Sequence, residues 1–322
     1  MVDPGTRAEV DLAAGPPVRH PVPPVEAART LTLPTAGPAS GVALAIASMS
    51  IIQLGAALSE PLFDRIGPSG TVVLRLTFAA LILWPFVRPQ LRGRSRADLA
   101  AAVGLGVCSA ALTLAFFEAI SRIPLGVAVT IEFLGPLGVA LAGSRHLRDV
   151  VWVALAGGGV ALLTLGDGAD EPIVLAGVGF ALLSGCCWAT YIVLTKHVGA
   201  RWQGFDGLAV SLAVAALVAL PFGIGGAGAD LLQPGVLLAG IGLALLMPLI
   251  PYALELVSLR RLPTALFGVI MSLEPAIAAL LGFLVLGQGL AVSGVVAIAM
   301  VVVASAGATL AARDPDEVPA IT

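Results

Sequence analysis

The chain has 322 residues, of which 58% are apolar and only 11% are charged, and its mean hydropathy is +1.01. Soluble domains carry about 25% charged residues, so this composition excludes an ordinary soluble enzyme. The net charge of −3 offers no basic surface for nucleic acid, and no Walker-type phosphate loop is present. We therefore expect no nucleic-acid partner, no cofactor and no nucleotide-driven pumping.

The N-terminal segment at 1–40 differs from the rest of the chain. It contains eight of the 23 prolines and several charges, without helical periodicity, which is typical of a disordered tail. It also lacks the basic start and apolar core of a signal peptide. The sequence predicts a disordered, Pro-rich cytoplasmic tail at 1–40 and a short cytoplasmic C-terminal tail at 312–322.

Between these tails, short charged or Gly/Pro-containing breaks separate ten apolar runs. Each run approaches the ~20 residues that a membrane-spanning helix needs. The runs predict an all-α integral membrane protein in the lipid bilayer, with ten transmembrane helices at 41–61, 71–87, 99–120, 125–142, 150–165, 176–195, 208–224, 236–258, 264–285 and 290–311.

Basic residues in the predicted loops indicate the orientation, because cytoplasmic loops carry an excess of Lys and Arg. With the N-terminus inside, only Arg65 and Arg122 fall in outer loops, whereas ten basic residues fall in inner loops: Arg88, Arg92, Arg94, Arg96, Arg145, Arg148, Lys196, Arg201, Arg260 and Arg261. Both termini are therefore predicted to be cytoplasmic, and the acidic segment at 167–171 to be external.

Two pairs of segments indicate an internal repeat. FAALILWPF at 78–86 resembles VAALVALPF at 214–222, and RIPLGVAVTIEFLGP at 122–136 resembles RLPTALFGVIMSLEP at 261–275. The two offsets along the chain are nearly equal, and the pairs align three prolines with three others, which generic apolar similarity does not explain. We expect two five-helix repeats, at 41–165 and 166–311. Because five is odd, the second must be inverted, as in many secondary transporters with a central substrate site.

Few charged residues lie inside the predicted helices. A charge at the membrane centre costs at least ~2.5–3.5 kcal/mol on insertion scales, so such residues face protein or a water-filled cavity. The candidates are Gln53, Arg75, Glu118, Glu132, Glu255 and Glu274. At ~1.5 Å per residue, Glu132 and Glu274 lie about 10 and 15 Å from the nearer helix start, close to the midplane. The alternative, structural pairing with neighbouring helices, stays open for both glutamates and for Arg75.

Prolines and aromatic residues complete the candidate site. Pro136 and Pro275 follow the two midplane glutamates and predict helix kinks beside a cavity. Trp188 and Tyr191 lie in the middle of the sixth helix rather than in an interfacial belt, and Tyr252 lies in the eighth. These three residues fit cavity lining or plain packing equally well.

The histidines give little support to an enzyme. His20 is in the tail, whereas His146 and His197 are in or beside short predicted cytoplasmic loops. An intramembrane Ser/His dyad and a His-ligated metal therefore have no candidate. Spacing alone does not exclude a membrane hydrolase that uses two carboxylates.

The strings RIPLGVAVTIEFLGPLGVAL, YALELVSLRRLPTALFGVIMSLEPAIAALLGFLVLGQ, LRL around Arg75, and SGCCWATYIVL resemble the EamA family of the drug/metabolite transporter superfamily. Within it they are similar to the bacterial threonine/homoserine exporter branch. The resemblance covers about 41–311. One departure is Leu286-Gly287-Gln288, where the family often has LGE, which puts a carboxylate role at that position in doubt.

The resemblance implies ten helices in two inverted repeats around a central cavity, in the bacterial inner membrane. It also implies export of small amino acids coupled to protons. A zwitterion has two charged ends, so acidic Glu132 or Glu274 and basic Arg75 could bind both. We expect Gln53, Glu255, Trp188, Tyr191 and Tyr252 to complete the substrate site, and Glu274 or Glu132 to exchange the proton. Alternatives are a carrier of another metabolite or drug, and a channel or structural membrane component.

Overall fold

The computed structural model describes residues 38–142, 149–165, 173–202 and 204–311. Residues 1–37 of the tail predicted at 1–40, the predicted tail at 312–322, the acidic segment at 167–171, Arg145 and Arg148 lie outside these residues, whereas residues 38–40 are helical rather than part of a disordered tail. The regular secondary structure of the described residues is helical, and turns and irregular segments connect the helices. The α-helices are α1 (Pro38–Val87), α2 (Arg96–Ile120), α3 (Leu125–Glu132), α4 (Leu134–Ala142), α5 (Asp149–Leu165), α6 (Leu175–Gly199), α7 (Asp206–Ala227), α8 (Pro234–Ala244), α9 (Ile250–Leu259), α10 (Thr264–Met271), α11 (Glu274–Leu286) and α12 (Val292–Ala311).

Eight helical segments within the described residues are long and apolar enough to cross a membrane. Three of them combine neighbouring α-helices, namely α3 with α4, α8 with α9, and α10 with α11, and a fourth combines α7 with the 3₁₀ helix Gly228–Leu232. A further apolar helix, Val150–Leu165, is shorter. The protein is therefore an all-helical, multi-pass membrane protein.

Helix α1 is longer than the sequence predicted. Its 50 residues would extend about 75 Å at ~1.5 Å per residue, more than twice the ~30 Å of a hydrocarbon core. The expected loop at 62–70 is helical apart from Gly67, whose φ of 68° and ψ of 168° are not helical. Glycine adopts this conformation without the steric penalty of a side chain, and Pro68 then begins the second half with a favourable φ. A single residue thus replaces the predicted loop.

Two predicted helices, 125–142 and 264–285, are each divided into two shorter helices. α3 ends at Glu132 and α10 ends at Met271. Each of these residues lies four positions before a proline, Pro136 or Pro275, which has no N–H to donate to its carbonyl. The interruptions therefore precede the prolines by one turn.

A third interruption divides the predicted helix 236–258. Leu245–Leu249 forms a π-helical segment between α8 and α9, in which Met247 has φ −137° and ψ 50°. Pro248 cannot donate to the carbonyl of Ala244, so the helical hydrogen-bond pattern changes at this point.

The segments that connect the helices contact one another in two groups. In one group Arg94 contacts Asp206 at 3.7 Å and Arg201 contacts Asp98 at 3.4 Å. In the other group Gln288 Oε1 accepts a hydrogen bond of 2.9 Å from the N–H of Leu125. Each bond joins connections that the predicted topology places on the same side of the membrane.

Helices α3 and α10 have equal length but different surroundings. Each has eight residues and follows a proline, Pro124 or Pro263, with nearly the same backbone angles. The offset along the chain between their starts equals the offset between their ends. All eight residues of α3 are buried. Among the described side chains of α10, one is buried, that of Ile270.

Close glycine contacts fix the α3–α4 unit. A Cβ added at Gly135 would overlap the carbonyl oxygen of Gly185 in α6, and one added at Gly126 would lie 2.6 Å from the Cα of Ala279 in α11. Small residues let helix backbones approach in this way within a membrane. The centre of the molecule therefore has no room for side chains at these positions.

We expect Gly135→Ala to destabilise the protein by at least ~1–3 kcal/mol, because the new methyl group would overlap the Gly185 backbone. Gly138→Ala is the matched control, since Gly138 lies in the same helix and its new methyl group would have nothing within 4 Å. Thermal unfolding in detergent measures both variants. Equal unfolding temperatures would contradict the packing described here.

Candidate functional site

A cavity of about 350 Å³ lies among α1, α2, α6, α7, α9 and the helix interruptions. It contains seven of the eight residues predicted to bind substrate. They are Gln53, Arg75, Glu132, Trp188, Tyr191, Tyr252 and Glu274. Residues from distant parts of the chain thus share one small-molecule-sized space.

The two midplane glutamates lie at helix termini. Glu132 is the last residue of α3 and Glu274 is the first residue of α11. A helix N-terminus favours negative charge, whereas a C-terminus does not. Their exposed fractions are only 6% and 5%. The two carboxylates therefore occupy different electrostatic environments within the same cavity.

Glu274 is paired with a neutral partner. Gln53 Nε2 donates a hydrogen bond of 3.0 Å to Glu274 Oε1. Gln53 Oε1 and Glu274 Oε2 are both buried and have no hydrogen-bond partner within the described part of the chain. Both oxygens are acceptors, so this pair presents an unfilled site for a hydrogen-bond donor or cation.

Arg75 provides the opposite charge. Its Cζ lies 5.4 Å from the centre of the Phe117 ring, a cation–π contact, and its buried Nε has no hydrogen-bond partner among the described residues. Glu132 lies near enough to Arg75 to interact with its charge. The ion pairs within 4.0 Å among the described residues do not include Arg75, so the two side chains do not form a direct contact. Arg75 is therefore free to meet an anionic group in the cavity.

Aromatic pairs form parts of the wall. Trp188 packs edge-on against Phe133 with ring centres 5.5 Å apart, and Tyr252 packs against Phe205 at 5.9 Å. Tyr252 and Phe205 are 37% and 39% exposed, and Phe205 is next in the chain to Asp206 of the Arg94–Asp206 contact. The cavity extends from the buried glutamates toward this end of the molecule.

Glu255 is the predicted site residue that does not line the cavity. Its Oε1 accepts a hydrogen bond of 2.8 Å from Ser48 Oγ in α1. Glu132 likewise accepts a hydrogen bond from Ser184 Oγ in α6. Both carboxylates are thus held by serines from other helices.

Gln288, where the sequence departs from the resembled family, has a structural contact. Its Oε1 accepts from the N–H of Leu125, the first residue of α3. This N–H has no partner within its own helix. An amide oxygen satisfies this donor, so a carboxylate is not required at position 288.

Several cavity residues were missed by the sequence analysis. Ser109, Thr113 and Ser211 add hydroxyl groups, and Phe205 lies at the wider end. Ser and Thr are common in membrane helices and their sequence carries no signal for a cavity. No group of three or more His, Cys, Asp or Glu residues arranged to hold a metal occurs among the residues described.

Comparisons with known proteins agree with this architecture. The threonine/homoserine exporter RhtA of Escherichia coli (strain K12) is 37% identical over 278 residues, covering 86% of this chain and 94% of RhtA. RhtA of Salmonella typhimurium (strain LT2) is 38% identical over 267 residues, covering 83% and 90%. These relatives are transporters, not enzymes.

A solved crystal structure has the same fold, with a TM-score of 0.54 and 20% identity, and the match covers 85% of this chain and 99% of the other. The EamA-like transporter family matches residues 175–310. Together with the identity to RhtA along most of the chain, this match shows that the chain belongs to the EamA-like transporter family.

Proposed function

We propose that this protein is a secondary active transporter that exports small amino acids, such as threonine and homoserine, or related metabolites across the bacterial cytoplasmic membrane in exchange for protons. Relatives 37–38% identical carry the name threonine/homoserine exporter. A carrier of another small metabolite or drug is the second candidate, because related transporters can differ in substrate.

The observation that carries the proposal is the complementary set of unpaired polar atoms in the cavity. Arg75 Nε is a donor, whereas Gln53 Oε1 and Glu274 Oε2 are acceptors, and all three are buried without partners among the described residues. Leaving such atoms unpaired costs free energy that a ligand can recover. An α-amino acid supplies both a carboxylate for Arg75 and an ammonium group for Gln53 and Glu274.

The size of the cavity also favours a small substrate. Its volume of about 350 Å³ is near the lower end of the ~300–1,000 Å³ of small-molecule sites. The hydroxyl groups of Ser109, Thr113 and Ser211 suit a substrate with a short polar side chain.

We further propose ten membrane crossings in two inverted repeats, at 41–165 and 166–311. The break at Gly67 divides α1 into two halves that can each cross, and α5 supplies another crossing. The matched bounds of α3 and α10 support the repeat. In this arrangement both termini are cytoplasmic and the cavity extends toward the Arg-rich, cytoplasmic side.

The difference in burial between α3 and α10 favours a carrier over a channel. All of α3 is buried on the side that we assign to the exterior, whereas its counterpart α10 has one buried residue, Ile270, among its described side chains. An inverted-repeat carrier alternates between such unequal arrangements of its two halves. Transport that saturates with substrate and responds to a pH gradient would distinguish the carrier from a channel.

Arg75→Gln is expected to weaken threonine binding roughly tenfold to a hundredfold, because a charge-assisted hydrogen bond contributes ~1.5–3 kcal/mol. Binding titration in detergent measures the affinity. Arg122→Gln is the control, since Arg122 pairs with Glu118 outside the cavity. If Arg75 is instead a structural partner of Glu132, each single neutral variant will lose ~3–5 kcal/mol of stability and the double variant will recover it, with affinity unchanged.

At least one of the two single variants, Glu274→Gln or Glu132→Gln, is expected to lose proton-driven transport. Both carboxylates line the cavity, and the substitution removes the exchangeable proton. Flux into proteoliposomes under an imposed pH gradient measures the effect, and thermal unfolding checks that each variant is folded. Unchanged proton-driven flux in both variants and in the double variant would reject the assignment.

Arg92→Cys and Asp230→Cys are expected to react from opposite sides of the membrane. Both positions are exposed, and the proposed topology places Arg92 in the cytoplasm and Asp230 outside. A membrane-impermeant thiol reagent added to whole cells, in a variant lacking the three native cysteines, should label only position 230. Equal labelling of both positions would contradict the topology.

A further inference from the structure

Two fully buried serines, Ser48 in α1 and Ser184 in α6, bond to other helices. Many hydroxyl side chains in helices bond instead to the carbonyl four residues earlier, as Ser50 does with Ile46 and Thr190 with Cys186. A buried serine that turns away from its own helix connects separate parts of the fold.

Each of the two hydroxyls lies within hydrogen-bonding distance of two acceptors. Ser184 Oγ faces Glu132 Oε1 and, at 3.1 Å, the carbonyl oxygen of Leu112. Ser48 Oγ faces Glu255 Oε1 at 2.8 Å and the carbonyl oxygen of Pro251 at 3.2 Å. In both cases one acceptor is a carboxyl group and the other is a backbone carbonyl.

The two serines and their carbonyl partners occupy corresponding positions in the proposed repeats, whereas the carboxyl partners, Glu132 in α3 and Glu255 in α9, do not. The offset along the chain from Ser48 to Ser184 is the same as that from Pro85 to Pro221. The offset between the carbonyl partners, Leu112 and Pro251, is the same as that from Pro124 to Pro263. Each serine therefore bonds from the first helix of one repeat to the third helix of the other.

The number of protons decides which bonds can form. A serine hydroxyl has one proton, whereas an ionised carboxylate and a carbonyl are both acceptors. Ser184 can then donate to only one of its two neighbours. If Glu132 takes up a proton from water, its new O–H donates to Ser184 Oγ, and Ser184 donates to the Leu112 carbonyl. The protonated carboxyl thus completes a chain of two hydrogen bonds, from Glu132 to Ser184 and from Ser184 to the Leu112 carbonyl, and the ionised form breaks this chain.

We propose that Ser184 and Ser48 are positioning residues that convert proton uptake by Glu132 and Glu255 into a change of contact between the two repeats. With the carboxyl protonated, Glu132, Ser184 and Leu112 hold α3, α6 and α2 together. When the proton leaves, the serine keeps one bond and releases the other. This inference rests on the proposed function for its role in transport, but the hydrogen-bond chain itself does not depend on the substrate.

Other ionisable groups face these carboxyls from the surrounding helices. Arg75 from α1, Glu274 from α11 and Cys187 from α6 lie near Glu132. Glu274, Tyr191 from α6 and Tyr252 from α9 lie near Glu255. Substitution of a serine leaves all of these groups unchanged, so serine variants isolate the hydrogen-bond chain from the surrounding charges.

Infrared difference spectroscopy of the purified, membrane-reconstituted protein tests the chain directly. A pH change should reveal the carbonyl stretching band of a protonated carboxyl that Glu132→Gln removes. In Ser184→Ala this band should move to higher frequency, because the carboxyl O–H has lost its acceptor. Ser50→Ala, a matched change in a serine bonded to its own helix, should leave the band in place.

Transport supplies the second measurement. We expect Ser184→Ala to reduce proton-driven threonine flux about fivefold, as the loss of one ordinary hydrogen bond would, while threonine counterflow without a proton gradient is retained. Ser184→Cys, which keeps a weak donor of similar size, should restore part of the flux. The single variants Ser48→Ala and Glu255→Gln repeat both measurements at the second serine. They decide the proposal if Ser184→Ala does not fold.

The two measurements separate this inference from the proposed function. A Glu132 band that does not move in Ser184→Ala, or a Glu255 band that does not move in Ser48→Ala, would overturn the hydrogen-bond chain. A band that moves as expected in a protein that does not transport threonine would support the chain and refute the proposed substrate.

Discussion

The site depends on two backbone carbonyls that lack the usual N–H partner four residues later in the chain. Pro136 has no N–H for the carbonyl of Glu132, and Pro275 has none for the carbonyl of Met271. The helices therefore stop one turn before each proline. Because interrupted backbone is tolerated at membrane depth only where protein or a cavity surrounds it, the two breaks must lie in the interior. Glu132 and Glu274 occupy these breaks and meet at one cavity.

Close packing makes the arrangement possible. The α3–α4 unit approaches α6 at Gly135 and Gly185, and α11 at Gly126, with too little space for a Cβ at any of the three. This contact brings Ser184 to Glu132 and brings the N-terminus of α3 to Gln288. Both contacts pair polar groups that would be costly to expose to lipid.

The unequal burial of α3 and α10 makes the two ends of the molecule different. Two helices with matching length and matching proline starts would have equal surroundings in a symmetric structure, but α3 is enclosed and α10 is not. In the proposed orientation the cavity faces the cytoplasm, where an exporter collects its substrate. The serine contacts link α6 to α2 and α1 to α9, and in the mechanism that we propose, loss of a proton at one carboxyl acts on these contacts between the repeats.

The sequence by itself determined the membrane class and the apolar helices, and it predicted the charged residues that line the candidate cavity, Arg75, Glu132 and Glu274, because hydropathy and the cost of charge in lipid act along the chain. Seven of the eight predicted substrate residues do share the cavity. Only the tertiary structure decided that Gly67 replaces a loop, and that Glu255 bonds Ser48 rather than lining the cavity. It also decided that Arg75 lies against Phe117 without an ion-pair partner among the described residues. These outcomes depend on contacts between residues far apart in the chain, whose distances no local pattern of hydropathy specifies.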